Sequence, residues 1–156
     1  MKDVSSEKPL KILEVIPALN SGGAERFVVD LCNQMARDEC EVTLLTMKNF
    51  SLRNFGFYKD DIASGVKVVN LGLGKFAPTT FYWLYRAIRQ QKCDVVHFHL
   101  TAMYFGVLAV LFDRKKKYIV TSHNQAESER TNERFRYWVK KLCPVSYTHL
   151  RAHETS

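Results

Sequence analysis

Residues 11–26 read KILEVIPALNSGGAER: a short apolar run stopped by Pro17, a polar bend ending in Gly22 and Gly23, and the start of a segment with helical period. A six-residue apolar run closed by proline has the character of a strand buried on both faces. Over residues 24–38, Val28, Leu31, Cys32 and Met35 fall at i, i+3, i+4 and i+7, one apolar helix stripe. Strand, glycine bend and helix together open a doubly wound α/β unit.

The remaining chain repeats the alternation. Strands are predicted at 41–47 (EVTLLTM), 66–71 (VKVVNL), 94–99 (DVVHFH) and 117–122 (KYIVTS). Helices are predicted at 79–91, capped by Thr79 or Thr80, at 102–112, and at 128–142 with the stripe Phe135, Trp138, Val139 and Leu142. Residues 48–64 are irregular, carry Phe50, Phe55, Phe57 and Tyr58, and are long for a plain connection, so they are functional or hide a short helix. Five strands alternating with helices predict a doubly wound parallel sheet, Rossmann-like, with right-handed crossovers and strand order 3-2-1-4-5. The domain is expected to span 10–143, after a disordered polar segment, 1–9.

Residues 144–156 break the pattern. A sixth strand is due, yet VSYTHLRAHETS has neither strand alternation nor a buried run. Residues 145–155 look like the translation of a transposase sequencing adapter, so the tail is set aside as a non-native scar. The natural frame is then expected to be interrupted near Cys143.

Composition fits one soluble domain: 156 residues, 46% hydrophobic and 25% charged. The longest apolar run, 103–112, is half of what a spanning helix needs, and the polar start is no signal peptide, so a cytoplasmic site is expected. Cys32, Cys40, Cys93 and Cys143 stand far apart, which argues for free buried thiols over zinc or disulfides. The net charge of +7, densest at 114–117 and 130–141, suits a phosphate-bearing substrate or an anionic membrane surface. No nucleic-acid motif accompanies it.

In an open parallel sheet, ligands bind beyond the carboxyl ends of the strands, where strand order reverses. That places the bend 20–23, the strand tip at His99 and the strand end Ser122-His123-Asn124 on one rim. Gly22 and Gly23 let backbone approach a ligand or take positive φ, and they open a helix N-terminus that favours an anion. Glu25 in that first turn suits the dipole and would compete with the anion. A tight turn without a ligand is the competing reading. His97 and His99 share one face of their strand. His97 is expected to be a buried core residue and His99, at the tip, to hydrogen-bond a sugar hydroxyl or a leaving phosphate. No third metal ligand stands nearby in sequence, so no metal is expected. The GxGxxG, P-loop and GxSxG patterns are all absent.

These motifs in this order resemble glycosyltransferase family 4 of the GT-B fold. Residues 11–17 and 21–26 resemble its opening strand and "GGAER" loop, 41–43 its second strand, 94–99 its "DVVHxH" strand and 121–124 its "TxH" strand end. The resemblance covers about residues 10–143. It implies the N-terminal, acceptor-side half of a two-domain enzyme that moves sugar from a nucleotide-diphosphate donor to a saccharide or lipid-linked acceptor. Retention is the usual outcome, with no required metal or other cofactor. It implies Gly22 and Gly23 at the diphosphate or acceptor, His99 beside the reacting sugar, and His123 with Asn124 lining the binding pocket. The donor half, with its paired glutamates, has no counterpart in the sequence, so the fragment is expected to be inactive alone. Many relatives act at the cytoplasmic membrane face, and the aromatic segments 50–58 and 76–85 could rest on anionic lipid there. A sugar-nucleotide epimerase and a non-catalytic single-domain binding module are the alternatives. A cleft without an acceptor groove would mark the first, and a natural stop near Cys143 the second.

Overall fold

A computed structural model describes residues 8–49, 56–74, 77–122 and 146–149. Within them the chain runs β1 (Lys11–Ile16), α1 (Gly23–Arg37), β2 (Glu41–Lys48), a 3-10 turn (Lys59–Asp61), β3 (Lys67–Leu73) and α2 (Thr79–Gln90). It continues through β4 (Val95–His99), α3 (Ala102–Phe105), α4 (Val107–Phe112), β5 (Lys117–Ser122) and β6 (Ser146–His149). The expected helix 128–142 and most of segment 1–9 lie outside the described residues.

The sheet order is β3-β2-β1-β4-β5-β6, and every recorded pairing is parallel. The predicted order of the first five strands therefore holds, with its reversal between β1 and β4. Alternating side chains feed two separate cores. Leu13, Val15, Val96, Phe98, Tyr118 and Val120 pack with Leu84 and Ile88 of α2, Ala102 of α3 and Ala109 of α4. On the other face Ile16, Val42 and Leu44 pack with Val28, Val29 and Cys32 of α1. Of the helix stripe read from the sequence, Val28 and Cys32 are buried there and Met35 packs at the margin; Leu31 lies outside this core, and Val29, outside the stripe, is buried in it.

Four differences from the sequence reading have physical causes. The helix predicted over 102–112 is two helices parted at Gly106, where an added Cβ would strike the Phe98 ring. β3 runs two residues further than its apolar run, and its register with β2 shifts between Thr46 and Lys48, where the Asn70 amide bonds Thr46 Oγ1 and the Lys48 carbonyl. α2 opens at Pro78, and the Thr80 hydroxyl reaches back to accept the Ala77 N–H at 3.1 Å instead of capping within the helix. Finally, the tail set aside as patternless supplies β6, paired with β5 from Ile119↔Ser146 to Ser122↔His149. A sheet edge offers unpaired N–H and C=O groups, and backbone pairing asks no side-chain pattern of the segment that meets them.

The long β2–β3 connection holds the expected short helix as the 3-10 turn, clamped onto α1. Asn33 Nδ2 donates to the Asp61 carbonyl and its Oδ1 accepts from Ala63 N–H, both at 2.8 Å. Arg26 bridges Asp30 and Asp61. The Phe57 N–H closes on the Leu19 carbonyl at 2.7 Å, which seats this connection beside the β1–α1 bend.

Candidate active site

Parallel pairing puts the carboxyl ends of β1, β4 and β5 on one edge, so the 17–22 bend, His99 and Ser122 share a rim at the order reversal. His123 and Asn124 lie outside the described residues, one and two positions beyond the end of β5.

β1 and β4 pair Glu14 with His97, and β4 and β5 pair His99 with Thr121. Because alternate residues share a face, Glu14, His97, His99 and Thr121 gather on the α1 side of the sheet. Both imidazoles converge on one carboxylate oxygen: His97 Nδ1 stands 3.0 Å and His99 Nε2 2.5 Å from Glu14 Oε2. His97 Nε2 lies 2.7 Å from Thr121 Oγ1.

A carboxylate only accepts hydrogen bonds, which sets the tautomers. His97 carries its proton on Nδ1 and His99 on Nε2, each donating to Glu14, and the Thr121 hydroxyl donates to His97 Nε2. Burial pushes the Glu14 carboxyl up, but the hydrogen bonds and charges of His97 and His99 outweigh it and hold the group below its ordinary value. For His99 burial wins over the attraction of Glu14, and its pKa falls below 6.5. The resting state is therefore an ionised Glu14 facing a neutral His99.

The burial expected of the two histidines is inverted. His99, anticipated as the accessible tip residue, is 0% exposed, while the His97 side chain retains 13%. β4 ends at His99, and Leu100 turns the chain away with φ 52°. That leaves the imidazole under the rim. Glu14 was missed from the sequence altogether. Its signal was present, since a glutamate inside a doubly buried apolar strand requires a partner.

Glu14, His97 and His99 also make the third metal ligand available that the sequence spacing did not: their ligand atoms lie within 4.8 Å of one another. Ligands around a tetrahedral ion at about 2.05 Å would stand about 3.3 Å apart. The 2.5 Å separation of His99 and Glu14 is a hydrogen-bond distance, so a cation would have to displace the shared proton and part them.

At the bend, Gly22 is extended with φ −116°, and neither glycine of the pair has positive φ. The reason for glycine is therefore space, not backbone conformation. A Cβ on Gly22 would collide with the Glu25 carboxylate, which lies over it, whereas a Cβ on Gly23 meets nothing within 4 Å. The α1 N-terminus, expected to await an anion, already holds one. Asn20, Ser21 and Gly23 are exposed around it.

Elsewhere, burial raises the thiols of Cys32 and of Cys93, the latter to about 11, which leaves both inert. Cys40 is also free, as expected, although it and Cys93 are only half-buried; Cys143 lies outside the described residues. Among the described residues no helix is long and apolar enough to cross a membrane.

The family model described as Glycosyltransferase Family 4 matches residues 21–152. The match takes in Gly22, Gly23, Glu25, His97, His99, His123 and Asn124, and it runs through β6. No curated protein matches the chain.

Proposed function

The chain belongs to glycosyltransferase family 4, and from that premise we propose that it supplies the acceptor-side domain of an enzyme moving sugar from a nucleotide-diphosphate donor to a saccharide or lipid-linked acceptor. The observation that carries the reading is the meeting of the diglycine bend and the β4 tip at the reversal of strand order. Gly23, open above its Cα, gives a substrate room to approach the backbone. His123 and Asn124, the two residues that follow β5 in sequence, are assigned to substrate binding by the family resemblance.

The Glu14–His97–His99–Thr121 network gives this rim its rigidity. It ties β1, β4 and β5 together with hydrogen bonds immediately below the loops that hold substrate. His99 acts in this reading as a positioning residue, since its ring is buried and its Nε2–H is spent on Glu14. Fixed loops are what transfer needs, because orientation of the two sugars supplies a large share of the barrier reduction. Transfer proceeds with retention and without a resident metal. The work takes place in the cytoplasm, with peripheral contact at the inner membrane face when the acceptor is a lipid.

The test is to incubate the full-length protein with a panel of nucleotide-diphosphate sugars and candidate glycan acceptors. Release of nucleoside diphosphate is followed, and the product anomer is read by proton NMR. Acceptor-dependent release and a product keeping the donor's anomeric configuration are expected. Failure of every donor would sink the proposal.

A further inference from the structure

The two faces of the sheet carry different charge. On one, α1 and the 3-10 turn hold Glu25, Asp30, Asp60 and Asp61, and Arg26 is bound to two of them, Asp30 and Asp61. On the other, α2, α3 and α4 contain no acidic residue, while α2 exposes Arg86 and Arg89. Lys92, past the end of α2, and Arg114 and Lys115, past the end of α4, are exposed as well. The two acids between and beyond these helices are already engaged: Asp94 accepts the Lys11 N–H and Asp113 pairs with Lys116.

The basic face is also rich in exposed rings. Tyr82 and Trp83 of α2 are 53% and 46% exposed, and Phe112, at the end of α4, is 70% exposed. Tyr85 and Phe112 meet with ring centroids 6.2 Å apart, which joins the two helices into one surface. Arg86 lies over the Trp83 ring at 5.7 Å and Arg89 over Tyr85 at 5.8 Å. Among the described residues neither guanidinium has a carboxylate within ion-pair distance. Beside them a groove lined by Leu71, Leu73, Trp83 and Arg86 opens between α2 and the edge strand β3.

Rings in water forgo burial, and unpaired cations beside them demand a negative partner. A neutral apolar partner would strip water from the arginines without returning a charge. The boundary of an anionic bilayer supplies both needs, since rings enter the headgroup layer while cations meet lipid phosphates. The α1 side does not compete for this role: Phe57 is exposed there, but next to the acids of the 3-10 turn. We propose that α2 and the end of α4 form a membrane-docking face, with Tyr82, Trp83 and Phe112 in the headgroup layer and Arg86 and Arg89 on anionic lipid. The inference deepens the glycosyl-transfer reading and rests on it for the lipid-linked acceptor. α2 starts beyond the carboxyl end of β3, so docking this face brings its first turns, and the rim at that end of the sheet, toward the bilayer.

The chain is sedimented with vesicles of phosphatidylcholine alone and with vesicles containing about one third phosphatidylglycerol. It should pellet with the anionic vesicles only, and raising the salt to about 0.5 M should release it. Arg86→Gln combined with Arg89→Gln should weaken binding about 25-fold, about fivefold for each cation removed. Arg37→Gln combined with Lys59→Gln takes the same charge from the α1 side and should change binding by less than about twofold. Unchanged far-ultraviolet circular dichroism verifies the fold of each variant. Trp83 and Trp138 are the two tryptophans, so Trp138→Phe leaves Trp83 as reporter. Its emission should shift to the blue on anionic vesicles and be quenched by brominated lipid. Absence of pelleting would overturn the proposal, as would equal losses in the two charge pairs or an unquenched Trp83. Capture by soluble polyglutamate without vesicle binding would give the face to an acidic protein partner, and self-association without it to a second copy; either result overturns the proposal. If vesicles are not bound yet the full-length protein transfers sugar, the docking face alone fails. If the full-length protein transfers no sugar either, the functional reading falls separately.

Discussion

His99 and Glu14, 85 residues apart in sequence, meet with Nε2 of one 2.5 Å from Oε2 of the other. The contact joins the first strand of the fold to the fourth, across the point where strand order reverses. Both side chains are essentially without solvent contact, so the bond stands in for hydration that neither receives.

Substituting Glu14 by Ala removes the acceptor that two imidazoles share. His99 is then left buried beside a small cavity with an unmatched N–H, and the chain should lose about 3 kcal/mol of unfolding free energy. Urea denaturation followed by circular dichroism measures it. A loss below about 1 kcal/mol would mean that water replaces the carboxylate freely.

The same network makes stability fall on acidification, in two windows. The folded-state pKa of His99 is depressed below 6.5, so below that pH the unfolded chain takes up a proton that the folded chain resists. Glu14 is depressed below 4.5, so its contribution is full above that value and is lost as pH falls through the folded pKa. In both cases the unfolded state binds more protons, and stability rises with pH. Denaturation midpoints between about pH 7.5 and about pH 4 should decline accordingly. His99→Gln should flatten the upper part of that decline and Glu14→Gln the lower part.

The sheet order and α1 were legible because hydrophobic period reports burial directly: Val28 and Cys32 pack where their spacing put them. The rim was legible for the same reason, since alternation fixes where strands end. The site's interior was not. The Glu14–His97 pairing depends on register between strands 83 residues apart, which no local pattern encodes. The exposure of His97 over His99 depends on how Leu100 turns the chain, and the anion at the α1 N-terminus on which way the Glu25 side chain folds. The break at Gly106 was concealed by an uninterrupted apolar run that reads as one helix.

Gly106→Ala tests that break. The residue sits with φ −77°, a conformation alanine adopts easily, so no backbone penalty applies. The new methyl would press on the Phe98 ring, which is 1% exposed and packed in parallel with Tyr118 at 6.2 Å. Overpacking of this kind costs about 1–3 kcal/mol, against a helix-propensity gain of at most about 1 kcal/mol. Net destabilisation is expected in thermal denaturation. Pairing the substitution with Phe98→Leu should recover part of it.

The tail offers a further test. Among the described residues β6 pairs with β5 alone, at the outer edge of the sheet. Truncation after Cys143 should leave amide exchange in β1, β2 and β4 unchanged and speed it only in β5, if residues 144–156 are an adapter-derived appendage, as we propose. Global loss of protection would instead make the tail an integral strand of the domain.

Gly22 and Gly23 can be told apart by pairing a stability measurement with a binding one. Alanine at Gly22 occupies the place of the Glu25 carboxylate, and glycine is the better of the two residues at a helix N-cap, so about 1 kcal/mol of stability should be lost. Alanine at Gly23 strikes nothing and sits in the first helical turn, where it should be neutral or stabilising by up to about 1 kcal/mol. A methyl there nevertheless fills the space through which substrate would approach the bend. Gly23→Ala should therefore keep or raise the melting temperature while weakening sugar binding by about tenfold, which only a ligand contact explains. If sugar binding survives Gly23→Ala intact, the opening above that residue is not where the substrate enters.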